Sequence, residues 1–297
     1  MVFVATLIAC ELTKQQVDDA WYALEHAAGA RPDWNWRWLD EGSAADLPFM
    51  TNDDPDISPM AALQSVGLSA DIIIQPIAGR EKRLIVADMD STMITVECID
   101  ELADYAGIKP QIAEITERAM RGELDFAGAL DARVALLEGL DEGAIDRCLA
   151  ERVRLMPGAR TLVRTMKARG GYSVLVSGGF TRFADPVGAE IGFDRVIANR
   201  LNVAGGRLDG TVGRPIVDSA TKLEALEAAM AERGLAAEQT LAVGDGANDL
   251  QMIRAAGLGV AYHAKPIVAS AAGARIDHGD LTALLWAQGI GRKDWVE

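Results

Sequence analysis

The sequence predicts an α/β fold: a parallel sheet with helices on both faces, interrupted by a helical cap and preceded by a small α+β domain. Two patterns carry this reading. From Lys82 onward, apolar runs of strand length end at loops rich in Gly, Asp and Ser, with helical segments between them. From about residue 98 to 155 the alternation stops, and only amphipathic helical patterns appear, such as Ile99-Leu102-Ala103 and Leu130-Val134-Leu137.

The elements follow in order. Val2–Ile8 is an apolar run of strand type, and Lys14–Ala28 has helical spacing at Val17, Ala20 and Leu24. A segment of Pro, Asp, Asn and Trp around Arg31–Trp38 and a polar, Pro-containing stretch from Met50 to Pro59 read as loops. Ala70–Pro76 reads as a second strand, and residues 1–80 form the expected N-terminal α+β domain. The expected strands of the larger domain, 81–297, are Leu84–Ala87, Tyr172–Val176, Arg195–Ala198, Thr240–Val243 and Gly257–Tyr262. In such sheets ligands bind beyond the carboxyl ends of the strands, so the polar residues after these runs are the ones to inspect.

Composition narrows the function. A net charge of −15 leaves no electrostatic footprint for nucleic acid or an anionic membrane, and it repels phosphorylated substrates at long range. A phosphate site here must rely on a metal, a lysine or backbone N–H groups. Cys10, Cys98 and Cys148 are too scattered for a disulfide framework or a zinc site and are expected to be reduced and buried. His26, His263 and His278 show no ligand spacing. The apolar start, Val2 to Cys10, lacks the basic flank and cleavage site of a signal peptide, and no run approaches the ~20 residues of a membrane span. A cytoplasmic location is expected, and a homodimer is one assembly the sequence allows.

Four strand-end patterns carry chemistry. Asp88-Met89-Asp90 puts two carboxylates where they can converge, and carboxylates that close repel unless a cation or shared proton compensates. That favours Mg²⁺, a hard cation that takes oxygen ligands. Ser177-Gly178-Gly179 offers a hydroxyl and backbone N–H groups that can approach a phosphate oxygen. Lys222 lies in a first helical turn, which opposes the helix dipole unless an anion sits there. Gly244-Asp245-Gly246-Ala247-Asn248-Asp249 places two acids and an amide in a glycine-framed loop suited to a hard metal and its waters. Taken singly, each has an ordinary explanation: an Asp-capped turn, a Ser-Gly turn, a solvated lysine, a tight loop.

All four occur in a fixed order, and together they resemble the motifs of the haloacid dehalogenase (HAD) superfamily, over nearly three quarters of the chain (82–297). The resemblance implies a HAD fold, Rossmann-like with a helical cap, and a phosphatase whose nucleophile is Asp88 and whose acid/base is Asp90. It further implies Mg²⁺ held by the Asp88 carboxylate, the Asp90 carbonyl and Asp245. Ser177, Gly178 and Lys222 would hold the phosphoryl group, with Asn248 and Asp249 orienting the site.

Within the superfamily, Glu97-Cys98-Ile99-Asp100-Glu101-Leu102-Ala103, Met120–Phe126, Arg133–Leu137 and Ala261–Pro266 resemble the phosphoserine phosphatases. That closer resemblance implies O-phosphoserine as substrate and the last step of L-serine biosynthesis. Glu97 would meet its ammonium and Arg133 its carboxylate, with Met120 and Phe126 as candidate apolar lining. Residues 1–80 loosely resemble the small ACT-like regulatory domains often joined to biosynthetic enzymes. A phosphatase for another small phosphomonoester and an amino-acid sensor are the competing readings.

Overall fold

The computed structural model describes all residues except 28–30, 33–34, 52–57 and 121–122, together with the side chains of Arg31, Pro32 and Met120. The chain opens with β1 (Val2–Ile8), α1 (Lys14–His26), β2 (Arg31–Pro32), β3 (Arg37–Asp40), β4 (Ala44–Met50), α2 (Ser58–Ser65) and β5 (Asp71–Pro76). These strands form an antiparallel sheet in the order β2-β4-β1-β5, with β3 also paired to β4. Alternation along β1 divides its faces. Ala5 and Leu7 join Val17, Ala20 and Leu24 of α1 in one apolar cluster, while Ile8 joins the core of the larger sheet.

The strands of the larger sheet are β6 (Leu84–Ala87), followed after the helical stretch by β7 (Tyr172–Phe180) and β8 (Arg195–Asn199). A hairpin of β9 (Leu201–Ala204) and β10 (Arg207–Val212) comes next, then β11 (Thr240–Gly244), β12 (Leu258–Tyr262) and β13 (Ala274–Ile276). The six-stranded order is β13-β12-β11-β6-β7-β8, with parallel pairing throughout. This is the α/β parallel sheet the sequence predicts. β6 lies centrally, every residue of it is buried, and its carboxyl end lies between those of β11 and β7.

Helices α3 (Cys98–Tyr105), α4 (Lys109–Met120), α5 (Phe126–Ala135) and α6 (Gly143–Arg152) occupy the insertion after β6. The β9–β10 hairpin, which shows no strand pattern in the sequence, packs on α5. Gly139 N–H donates to Leu208 O (2.8 Å) and Leu208 N–H to Leu140 O (2.9 Å). The remaining helices are α7 (Ala159–Ala168), α8 (Thr181–Ile191), α9 (Ser219–Arg233), α10 (Leu250–Ala255), α11 (Pro266–Ala269) and α12 (Ala283–Ala287). Among the described residues no helix is long and apolar enough to cross a membrane.

Three expectations need correction. Cys10 is exposed, because β1 ends at Ile8 and the chain turns outward, whereas Cys98 and Cys148 are buried. Of the loop expected around Arg31–Trp38, Arg31–Pro32 form strand β2 and Arg37–Trp38 open strand β3, while residues 33–34 lie outside the described residues. The buried strand β4, whose pattern is broken by Asp46 and Pro48, fills the middle of the N-terminal sheet. Of the loop expected from Met50 to Pro59, residues 52–57 lie outside the described residues, and α2 begins at Ser58.

The two sheets are joined by a buried polar cluster. Arg80 pairs with Asp46 through Nη1 (2.7 Å) and Nη2 (2.6 Å) and donates from Nε to Ala287 O (2.8 Å) and from Nη2 to Trp286 O (3.0 Å). The guanidinium thus ties β4 to the carbonyl end of α12, where a cation is favoured. Asp71, at the start of β5, accepts backbone N–H bonds from Asp277, His278 and Gly279 (2.7, 3.1 and 2.8 Å). Removing one partner of a buried pair strands the other. Arg80→Ala should therefore lower unfolding stability by about 3–5 kcal/mol. Removing Arg37, the exposed partner of the same Asp46, should cost under about 1 kcal/mol. Urea unfolding of the two variants checks the contrast, and equal effects would refute it.

Candidate functional site

Asp88 directly follows β6, and its N–H still donates to Val243 O of β11 (3.0 Å), so the strand geometry carries into the first residue of the loop. The chain then turns tightly. Met89 O accepts from the N–H groups of Thr92, Met93 and Ile94, and Ser91 takes a left-handed φ of 56°. That turn brings Ser91 Oγ to Glu97 Oε1 (2.8 Å) and Asp90 Oδ1 to the Cys98 N–H at the start of α3 (3.2 Å). The first residues of the cap are thereby anchored to the loop that carries both aspartates.

Opposite Asp88 stands Lys222, fully buried on α9. Its ammonium lies 2.5 Å from Asp88 Oδ1 and 2.6 Å from Asp249 Oδ1. Asp249 Oδ2 in turn accepts the Gly246 N–H (3.0 Å). Oxygens of Asp88, Asp245 and Asp249 lie within 4.8 Å of one another, a set of hard donors suited to a divalent cation. Thr92 Oγ1 reaches Asp245 Oδ1 at 3.5 Å.

Electrostatics reflect this crowding. Burial, then the charge of Asp249, holds the Asp88 carboxyl well above the usual range, against the pull of Lys222. Burial and the charge of Glu97 push Asp90 up to about 7. Burial followed by Asp249 pushes Asp245 up to about 6. Burial opposes the charge on Lys222, but Asp88 and Asp249 outweigh it and raise its pKa.

A cavity of about 400 Å³ opens above these groups. Asp88, Asp90, Gly178, Gly179, Asp245 and Asn248 line its sheet side. Glu97, Ile99, Leu124, Phe126, Leu130 and Arg133 line its cap side. Ser177, Lys222 and Asp249 stand behind that surface, each at most 1% exposed. Ser177 Oγ accepts the Gly179 N–H (2.9 Å). A Cβ on Gly179 would come within 2.8 Å of Asp90 Oδ2, and one on Gly178 within 3.0 Å of the Phe126 ring, so a side chain at either position would push against the Asp90 carboxylate or the cap. Arg133 is held by Ala129 O (3.2 Å), and burial lowers its pKa against the opposing charges of Asp100, Glu97 and Asp90.

Every residue singled out in the sequence thus lies at or directly behind one cavity, except Met120, whose side chain lies outside the described residues, as do Arg121 and Gly122. The sequence reading assigned no site role to Thr92, Ile99, Leu124 or Lys265. Lys265 follows β12 as the other cavity residues follow their strands, and that position is its signal in the sequence. Its N–H donates to Asp245 O (3.3 Å).

A family model of haloacid dehalogenase-like hydrolases matches residues 85–254, more than half of the chain. The chain belongs to this family. Among haloacid dehalogenase-like relatives, a phosphoserine phosphatase of Streptomyces coelicolor is 47% identical over 231 residues, 77% of this chain and 56% of that one. The chain therefore spans little more than half of that relative's length. A phosphoserine phosphatase of Albidiferax ferrireducens is 44% identical over 232 residues, 75% of this chain and 98% of that one. A crystal structure of a probable phosphoserine phosphatase from Vibrio cholerae superposes with a TM-score of 0.74 at 33% identity, covering 97% of this chain and 88% of that one. The Vibrio likeness covers nearly all of this chain, and so takes in the N-terminal sheet.

The buried triad of charges gives a direct test. Lys222→Met leaves Asp88 and Asp249 without their cation and should cost about 3–5 kcal/mol of stability. In the unsubstituted protein, a divalent cation at a hundred times its Kd should add about 2.7 kcal/mol, and that gain should vanish in Asp245→Asn at the same concentration. Thermal unfolding with and without the cation measures both, and a midpoint indifferent to every divalent cation tried, Mg²⁺ and Mn²⁺ included, would remove the metal site.

Proposed function

We propose that the chain is a Mg²⁺-dependent phosphoserine phosphatase that hydrolyses O-phosphoserine to serine and phosphate. One observation carries the reading: a single cavity has the Asp88–Asp90 pair on one wall, with Glu97 and Arg133 on the cap side. O-phosphoserine presents a phosphate, an ammonium and a carboxylate. Glu97 offers the anion an ammonium needs, and Arg133 the planar fork that binds a carboxylate through two N–H groups. The names of the Streptomyces and Albidiferax relatives support the same substrate.

In the proposed reaction Lys222 holds Asp88 Oδ1, and the other carboxylate oxygen attacks phosphorus in line. The bond from phosphorus to the seryl oxygen breaks as an aspartyl-phosphate forms. Asp90, whose carboxyl is pushed up to about 7, donates its proton to the departing oxygen. It then takes a proton from the water that attacks the aspartyl-phosphate, and the bond to Asp88 breaks, releasing phosphate. Ser177 Oγ already accepts from Gly179, so its own hydrogen is available to a phosphoryl oxygen, as is the Gly178 N–H. Mg²⁺, held by Asp88, the Asp90 carbonyl and Asp245, would offset the charge that keeps a carboxylate from a dianion. Asn248 and Asp249 orient the donors, Asp249 through Lys222 and Gly246. Ser91 Oγ fixes Glu97 toward the ammonium.

Purified protein with Mg²⁺ should release phosphate from O-phosphoserine far faster than from phosphothreonine or sugar phosphates, and EDTA should abolish the release. Equal rates on all three would overturn the substrate assignment and leave the phosphatase one. Asp88→Asn should be inactive with an unchanged fold. Arg133→Met should lower kcat/KM for O-phosphoserine by about 10–150-fold, the worth of a hydrogen bond to a charged group. An aryl phosphate lacking the carboxylate should be nearly unaffected by that change, and a parallel loss on both substrates would refute carboxylate recognition by Arg133.

A further inference from the structure

Strand β7 does not run straight into its loop. Ser177 pairs with Ala198 of β8, but the next pair is Phe180 with Asn199, so Gly178 and Gly179 are two extra residues on β7. This bulge turns both glycines into the cavity. It also takes the Gly178 carbonyl out of the sheet ladder, and a buried carbonyl without a donor is costly.

The Asn199 side chain supplies the missing donor. Its Nδ2 donates to Gly178 O (2.8 Å) and Val217 O (3.3 Å), while its Oδ1 accepts the Val217 N–H (2.8 Å). The amide therefore pairs with Val217 as a strand residue would and uses both of its hydrogens. The opposite amide orientation would set its oxygen against two carbonyls. Asn199 is 1% exposed. Val217 directly precedes Asp218, which caps α9 by accepting the Thr221 N–H (3.0 Å) and whose carbonyl accepts the Lys222 N–H (3.1 Å). One buried amide thus links the glycine bulge to the start of the helix that carries Lys222.

We propose that Asn199 is a positioning residue for phosphoryl transfer, setting the Gly178–Gly179 peptide and the origin of α9 relative to one another. It touches neither the cavity nor the reacting atoms. It acts through Gly178 and Gly179, whose N–H groups face the phosphoryl site or hold Ser177 Oγ, and through the helix that delivers Lys222 to Asp88. The proposal rests on the phosphatase reading above.

Asn199→Leu keeps the approximate volume and removes all three hydrogen bonds. Asn199→Ser leaves room for water to bridge them and serves as the milder variant. A displacement near 1 Å at a reacting site lowers rates by as much as a hundredfold, so kcat/KM should fall about 10–100-fold in Asn199→Leu. Inorganic phosphate, titrated by calorimetry in the presence of Mg²⁺, should bind about tenfold more weakly, with Asn199→Ser recovering part of both losses. The Mg²⁺ concentration for half-maximal stabilisation should stay within about threefold, because none of the metal carboxylates has moved. Folded variants with unchanged phosphate affinity and kcat would overturn the proposal and leave Asn199 a stabilising residue only. If neither variant folds, hydrogen exchange decides in the unsubstituted protein. The Val217 and Gly179 amides should become more protected when inorganic phosphate binds, and unchanged protection at saturation would overturn the proposal. If the unsubstituted protein hydrolyses no phosphomonoester, the phosphatase reading fails, while the phosphate titration and exchange still judge Asn199.

Discussion

One ammonium group governs the architecture of this site. Lys222 lies between Asp88, at the end of β6, and Asp249, in the loop after β11. It is inaccessible to solvent, and it supplies the buried positive partner for both carboxylates. The parallel order β11-β6-β7 sets the Asp88 and Asp249 loops side by side, and α9 delivers the cation across them. The glycines of the second loop follow from the same constraint. The Asp249 carboxylate fills the space a Cβ on Gly244 would need, and Asn248 does the same at Gly246. Those residue types come from how tightly the loop folds around a buried charge, as well as from any ligand it holds.

The N-terminal sheet is attached by a related device in a different place. Arg80 and Asp71 satisfy carbonyl and N–H groups at chain ends of the larger domain, and Ile8, Ala44 and Ile73 extend its core. The loop that Asp71 holds is also held from the other side. His263 Nε2 lies 2.9 Å from Gly279 O, and its N–H donates to Ile276 O (2.8 Å). Lys265, two residues on, lines the cavity. The position of the segment after β12 is therefore fixed jointly by the larger sheet and, through residues 277–279, by the N-terminal one.

What was legible in the sequence was whatever depends on short-range pattern. Buried parallel strands read as apolar runs, and β6, β7, β8, β11 and β12 were all recognisable. Their carboxyl-terminal ends carried the acids, glycines and hydroxyl that assemble at the cavity, although β7 runs on to Phe180 and takes in Ser177–Gly179, the two glycines as a bulge. Strand β4 was illegible because Asp46 interrupts its pattern. Asp46 is tolerated in the interior because distant residues satisfy it: Thr6 donates to it, Arg37 pairs with it, and Arg80, 34 residues later, pairs with both of its oxygens. The β9–β10 hairpin is half exposed and polar, so no apolar run marks it, and its place is set by the helix α5 it packs against. Lys222 alone resembled a surface lysine, since its partners lie 134 and 27 residues away in sequence. Asn199 gave no signal at all, because its function depends on a register shift between β7 and β8 that no local pattern encodes.

Charge explains why the proposed reaction would need the cation. Asp88, Asp90, Glu97, Asp245 and Asp249 surround or underlie the cavity, against Lys222, Arg133 and Lys265. Lys222 is already shared by two carboxylates, and Arg133 stands on the cap wall, so neither cation is free to balance a phosphate dianion over Asp88. Lys265 is exposed and lies at the Asp245 side. In that reaction, protonation of Asp90 would remove one negative charge and place the proton where the leaving oxygen needs it. The remaining excess lies among the Asp88, Asp245 and Asp249 oxygens, grouped within 4.8 Å. Burial and, after it, the charge of Asp249 raise the Asp88 and Asp245 pKa values; a divalent ion there would offset that repulsion and the repulsion toward the incoming phosphate. On the proposed reading, a protein this acidic could then accept a doubly charged substrate, because attraction would be concentrated at the single point where phosphorus must sit.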